Sequence, residues 1–200
     1  FFLKNRFDTV DDLENFASQL VNVVHHPFIL NDETAVVSMS VGIAVFPNNG
    51  LTVSELIKNA DIAMYNAKNS GKNSYRFFDS YMEDDVNRKN DLADILSHVI
   101  DKNEFYLQSQ PQVNVESGQV TGYEALMRIE SELVGFISPA EFIPIAEETG
   151  IINILGEWAL IEACNFNQVL IKSGFGPLRV SVNVSTTQLK DDHLIDIIIK

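Results

Sequence analysis

An acid and an arginine four residues apart, Glu124 and Arg128, stand in the run Gly122-Tyr123-Glu124-Ala125-Leu126-Met127-Arg128. The run reads as a β-strand, where side chains alternate between faces, so both groups point the same way. At the carboxyl end of a barrel strand such an acid is placed to bind a hard divalent cation, and the arginine to fork onto a phosphate oxygen. The same spacing serves a same-face ion pair, and spacing does not decide between the two. Lys68 and Lys72, also four apart and near a predicted helix end, can compensate the helix dipole or stand as solvated charge. His25 and His26 precede Pro27, while His98 and His193 stand alone. None has a partner at metal-ligand spacing, so they read as solvated or packing side chains. The single cysteine, Cys164, excludes an internal disulfide and a CxxC metal site and favours a reducing compartment. Beside Ala163 it is expected as a small, buried, apolar group.

Positioning these groups falls to alternating helices and strands. Thr9 and Asp12 form a capping pattern before Leu13, Phe16, Ala17, Leu20 and Val24, which share one helical face. From Val36 to Phe46 the period becomes two, predicting a strand with Val37, Met39, Val41, Ile43 and Val45 on one side and small residues on the other. Pro47-Asn48-Asn49-Gly50 marks a turn. Thr52 and Glu55 have capping-box spacing before a helix that Gly71 should end. Residues 74–79 read as a short aromatic strand, and Leu92, Ile95, Leu96, Val99 and Ile100 as the apolar face of a connecting helix. Strands follow over 105–115 and 119–128. Ser138-Pro139 opens a helix broken at Thr149-Gly150, a long helix covers 152–173, Gly174 to Pro177 turn the chain, 179–184 alternate as a strand, and a final helix starts near Thr187.

The chain has 200 residues and a net charge of −14, about −3 over residues 1–80 and −11 over 81–200. That acidity argues against a surface for nucleic acid or anionic lipid. With 46% hydrophobic and 21% charged residues there is material for a core, and a folded, soluble chain is expected. No stretch has the 18 or so uninterrupted apolar residues of a membrane span; the greasiest, 151–164, is broken by Asn153, Gly156, Glu157 and Glu162. The opening Phe1-Phe2-Leu3 lacks an initiator Met and a signal sequence, which suggests an internal fragment or a processed product. The charge step suggests two units meeting near residue 80. Over 103–200 the order strand, strand, helix, helix, strand, helix fits the opening of an α/β barrel, which needs roughly 250 residues to close.

Particular words then carry a resemblance. Phe105-Tyr106-Leu107, Gln110-Pro111, Gly122 to Leu126, Arg128, Ser138 to Pro144, Ala146-Glu147, Leu155-Gly156-Glu157-Trp158, Ala163-Cys164 and Val182-Asn183-Val184-Ser185 closely resemble the first part of the EAL family of cyclic di-GMP phosphodiesterases. Ser40 to Ala44, Pro47, Ala60 to Tyr65, Ala67-Lys68 and Gly71 to Tyr75 resemble the second half of a GGDEF domain, the diguanylate cyclase family. The resemblance implies an α/β chain: residues 1–80 as the C-terminal part of a palm-like GGDEF domain, 81–102 as a connecting helix, and 103–200 as the first strands and helices of an EAL (β/α)8 barrel of TIM type. It places the remaining GGDEF and EAL motifs before Phe1 and after Lys200.

The resemblance further implies Glu124 and Asn183 as ligands of Mg²⁺ or Mn²⁺, Arg128 as a phosphate contact and Gln110 as a substrate contact. An amide oxygen is a neutral hard ligand that suits such cations beside carboxylates; the plainer roles for Asn183 are a strand-end turn or, through Asn-Val-Ser, glycosylation, the latter out of place in the cytoplasm. Lys68 and Lys72 fall where cyclases contact a nucleoside triphosphate, GTP. Ser109, Ile129 and Ser131-Glu132 depart from the common EAL words, which alters the pocket wall but not the ligands. The implied function is metal-dependent hydrolysis of cyclic di-GMP to linear pGpG by the parent protein, in the cytoplasm or on the cytoplasmic side of a larger sensor, as a homodimer formed through the EAL part. The alternatives are an inactive cyclic di-GMP receptor that relays a signal, or cyclase activity from the GGDEF part. The 200-residue piece alone is expected to be inactive.

Overall fold

The computed structural model describes residues 9–25, 27–30, 33–176, 178–191 and 193–199. The readings of Phe1-Phe2-Leu3, His26 and Pro177 lie outside the described residues, as do those of the His25 and His193 side chains. The chain divides into two compact units, Phe1–Arg88 and Lys89–Lys200.

In the first unit, α1 (Val10–His25) begins where the sequence capping pattern places it: the Thr9 hydroxyl and backbone N–H donate to the Asp12 carboxylate at 2.8 and 3.1 Å, and Asp12 N–H donates back to the hydroxyl at 3.2 Å. A short antiparallel pair follows, β1 (Phe28–Leu30) and β2 (Glu33–Ala35). Then come β3 (Ser40–Ile43), α2 (Val53–Asn69) and β4 (Ser74–Phe77), with β3 and β4 parallel and the helix as crossover. The expected strand over Val36–Phe46 shrinks to β3, because its ladder on β4 is four residues long; Val37, with no ladder partner, is 47% exposed. Helix α2 lies directly on β3. A Cβ on Gly42 would fall 1.9 Å from the Ala60 carbonyl oxygen and 2.2 Å from the Met64 backbone nitrogen, and the helix buries Ala63 and Ala67 completely. Small residues on both sides allow this approach.

The second unit holds α3 (Tyr81–Leu96), which begins in the first, then β5 (Phe105–Val113), β6 (Val120–Ser131), β7 (Gly135–Ile137), α4 (Pro139–Thr149), α5 (Ile152–Lys172), β8 (Arg179–Val182) and α6 (His193–Ile199). Strand β6 pairs antiparallel with β5 and β7 and parallel with β8. Among the described residues this sheet is open. Its covered face carries Phe105, Ile129 and Ile137, packed with Leu92, Leu96, Phe142, Ala146, Ile152 and Leu155 from the helices. Phe105 also meets the Trp158 ring, 4.8 Å between centroids. Farther along, Tyr123, Ala125 and Ala163 form a second cluster; the Tyr123 hydroxyl donates to the Ala163 carbonyl at 3.1 Å, and burial raises its pKa above the usual tyrosine value.

Two expectations are corrected here. Cys164 is exposed. The inward stripe of α5 runs Ile152, Leu155, Gly156, Ala159, Ala163, and one further residue turns about 100° round the helix, away from the sheet. The single helix expected from Thr187 is a 3₁₀ turn, Gln188–Lys190, separated from α6 by Asp191 in extended conformation. The Gln188 side chain bends back to accept from Ser185 N–H at 3.0 Å, which holds this segment as a tight turn.

Candidate functional site

The uncovered face of the second sheet is where the sequence-predicted groups meet. Alternation that sends Tyr123, Ala125 and Ile129 into the cores sends Glu124, Leu126 and Arg128 to the opposite face. Register adds the neighbours. Gln110 lies across from Glu124 and Gln108 from Leu126 on β5, while Ser181 lies across from Glu124 on β8. Asn183, two residues past Ser181, continues that face just beyond the strand end. Its Nδ2 donates to Glu124 Oε1 at 2.8 Å. Gly122 lies two residues before Glu124 on this face, and a Cβ there would come within 2.5 Å of the Arg179 carbonyl oxygen. Its bare backbone lets β6 and β8 close.

Glu124 and Arg128 share a face but not a bond. Arg128 Nε donates to Gln108 Oε1 at 2.9 Å, and its Nη1 to the Met127 carbonyl at 2.8 Å. The carboxylate of Glu124 is engaged by Asn183 instead, so the same-face ion pair does not form. Gln110 is exposed beside them. A shallow cavity of about 110 Å³ beside them is lined by Arg128 and Asn183 together with Ala125, Met127 and Val182 and, from α4, Pro139 and Ile143, so it borders the helix-covered side and does not include Glu124 or Gln110. A carboxylate and an amide within hydrogen-bond reach of each other form a hard, all-oxygen donor pair once the amide presents its oxygen edge. That pair fits a hard divalent cation, which can take one or two protein carboxylates and complete its shell with water and phosphate oxygens. Among the described residues no three His, Cys, Asp or Glu side chains gather as a metal cluster.

The remaining candidates lie in the first unit. Lys68 occupies the last turn of α2, but the helix ends at Asn69 and Lys72 follows it in left-handed backbone, φ 59°. The four-residue spacing therefore does not place the two lysines on one helical face. Both are exposed. Sequence reasoning assigned no role to Gln108, although it shares the two-residue period of Gln110. Nor did it assign one to Glu147, Ser185 or Gln188, which hold the turn behind Asn183: the Ser185 hydroxyl donates to Glu147 Oε1 at 2.5 Å.

An open α/β sheet, helices on one face and an acid, an amide and an arginine together on the other, defines the class as the opening of a (β/α)8-type barrel domain. The EAL domain profile matches residues 93–200 and the profile described as "Diguanylate cyclase, GGDEF domain" matches residues 2–74. The chain belongs to the EAL family, preceded by GGDEF sequence. Among curated relatives, the "Bifunctional diguanylate cyclase/cyclic di-GMP phosphodiesterase MucR" of Pseudomonas aeruginosa is 36% identical over 92% of this chain and 27% of its own length. The signaling protein YkoW of Bacillus subtilis is 36% identical over 91% of this chain and 23% of its own. The chain thus spans about a quarter of the length of these relatives. The solved PaMucR phosphodiesterase in complex with c-di-GMP is similar with a TM-score of 0.53 and 34% identity, covering 55% of this chain and 44% of that one. The EAL enzyme Bd1971 in its cAMP- and cyclic-di-GMP-bound form, 22% identical over 76% of this chain and 40% of that one, shares the fold with a TM-score of 0.53. Among the described residues no helix is long and apolar enough to cross a membrane.

Proposed function

We propose that the protein hydrolyses cyclic di-GMP to linear pGpG at the face formed by β5, β6 and the end of β8, with Glu124 and Asn183 holding Mg²⁺ or Mn²⁺. The observation that carries this is the 2.8 Å contact between Glu124 and Asn183, which sets two hard donors side by side on the strand face that also bears Arg128 and Gln110. A divalent cation bound there supplies Lewis-acid polarisation of a phosphoryl oxygen and activation of water. Arg128 keeps guanidinium N–H groups beyond those given to Gln108 and Met127, and these can fork onto a phosphate. Gln110, with a donor and an acceptor on one amide, orients the dinucleotide from the neighbouring strand. Water would add to one phosphorus, the bond from that phosphorus to a ribose 3′ oxygen would break, and that oxygen would leave as a hydroxyl with the proton the water gives up, which opens the ring to pGpG.

The further assignments belong to the same proposal. Residues 1–80 serve as GGDEF part, 81–102 as the connecting segment, helical only over Tyr81–Leu96 rather than to 102 and turning from there on, and 103–200 as EAL part. Lys68 and Lys72 would meet GTP singly rather than as a helical pair, the EAL part forms a homodimer, and the protein works in the cytoplasm. Replacing Glu124 with Gln in the full-length protein, with Mn²⁺ present, should lower hydrolysis by about a hundredfold, the upper end of what losing a ligand's outer partner costs. Unchanged turnover sinks the assignment. Binding of cyclic di-GMP without turnover in the wild-type protein would instead favour a receptor.

A further inference from the structure

Asn183 stands just past the end of β8, where no ladder fixes its backbone. The turn behind it is tied to two helices instead. From α4, Glu147 Oε1 accepts the Ser185 hydroxyl at 2.5 Å. From the other side, the Gln188 side-chain oxygen accepts Ser185 N–H at 3.0 Å, and Ser185 Oγ itself accepts Thr187 N–H at 3.1 Å. Gln188 is 3% exposed, and it lies on α5 at Gly156, where a Cβ would come within 1.9 Å of its Nε2. The bare backbone of Gly156 is therefore the seat for this side chain. Both helices are anchored in the core next to these contacts, α4 by Phe142 and Ala146, α5 by Leu155 and Ala159. Ser185 is thus gripped through its hydroxyl and its N–H, two residues after Asn183.

We propose that Glu147 and Gln188 are positioning residues that clamp Ser185 and thereby set the Asn183 amide against Glu124, so that divalent-cation affinity depends on side chains that do not touch the cation. This rests on Glu124 and Asn183 being the cation ligands. A hydroxyl on a carboxylate is a charge-assisted bond, stronger than a neutral one, and such outer partners of ligands commonly change metal affinity by about 10- to 100-fold when removed.

The test is Mn²⁺ titration of the full-length protein, read by the electron paramagnetic resonance of free Mn²⁺ with thermal unfolding alongside. Ser185→Ala, Glu147→Ala and Gly156→Ala should each weaken binding about tenfold in protein that remains folded. Glu147→Gln, which keeps an acceptor oxygen for the serine, should restore most of the affinity. If Glu124→Ala and Asn183→Ala bind Mn²⁺ as the wild type does, the ligand assignment fails and the clamp falls with it. If those two weaken binding while Ser185→Ala and Glu147→Ala do not, the clamp alone is overturned. A Glu147→Gln variant as weak as Glu147→Ala, and both weaker than Ser185→Ala, would mean that the carboxylate acts on the cation other than through the serine, contrary to a positioning role. Should Glu147→Ala fail to fold, Ser185→Ala, which removes a single hydroxyl, decides.

Discussion

At the scale of single residues, the hydrogen bonds exclude a Glu124–Arg128 ion pair. Arg128 is pinned by Gln108 on the neighbouring strand and by the Met127 carbonyl, and Glu124 is met by Asn183 from just past the end of β8. A guanidinium fixed at Nε leaves its Nη edge directed rather than sweeping, which favours a phosphate held in one orientation. Gln108→Ala should therefore raise KM for cyclic di-GMP about three- to tenfold, the worth of one hydrogen bond of about 1 kcal/mol, with kcat nearly constant. Steady-state kinetics on the full-length protein measure this, and an unchanged KM would show that Arg128 needs no such support. The sequence placed Glu124 and Arg128 on one face because strand alternation is strict. It was silent on Gln108 because a glutamine at an exposed strand position carries no signal until its cross-strand partner is known.

At the scale of elements, local chemistry was the legible part. The Thr52 and Glu55 spacing becomes a complete capping box: Glu55 N–H donates to the Thr52 hydroxyl at 3.2 Å, and Leu51 and Thr52 N–H donate to the Glu55 carboxylate at 2.7 and 3.1 Å. Those backbone donors hold the Glu55 carboxyl below its usual range. A carboxyl with a lowered folded-state pKa contributes stability above its unfolded value and loses it as pH falls through the lowered one. Urea unfolding at several pH values should show Thr52→Ala less stable by about 1 kcal/mol near neutrality. Glu55→Gln should lose the part of the acid-side slope that belongs to this group, and an unaltered slope would contradict the link. Gly150, with φ 79°, ends α4 where Thr149-Gly150 suggested. What escaped the sequence were features set by distant partners. The three-residue strands β1, β2 and β7 are too short to show alternation, β3 is trimmed to the length of β4, and Cys164 is turned outward by one step of helix.

At the scale of the whole molecule, a net charge of −14 describes the surface and not the site. It opposes polyanions in general, yet a phosphate-bearing ligand can reach an acidic centre through the cations that the centre recruits. The alternation that turns Tyr123, Ala125 and Ile129 of β6 into the core turns Glu124 and Arg128 to the opposite face, so fold and candidate site share one alternation. Glu124 and Asn183 meet on that opposite face. That meeting makes the central claim open to direct observation: anomalous diffraction at the manganese edge from crystals of the full-length protein grown with Mn²⁺ and cyclic di-GMP. The predicted result is an anomalous peak at about 2.0–2.2 Å from an oxygen of Glu124 and the amide oxygen of Asn183, with a phosphate of the dinucleotide on Arg128. Manganese bound elsewhere, with Asn183 Nδ2 still donating to Glu124, would contradict it.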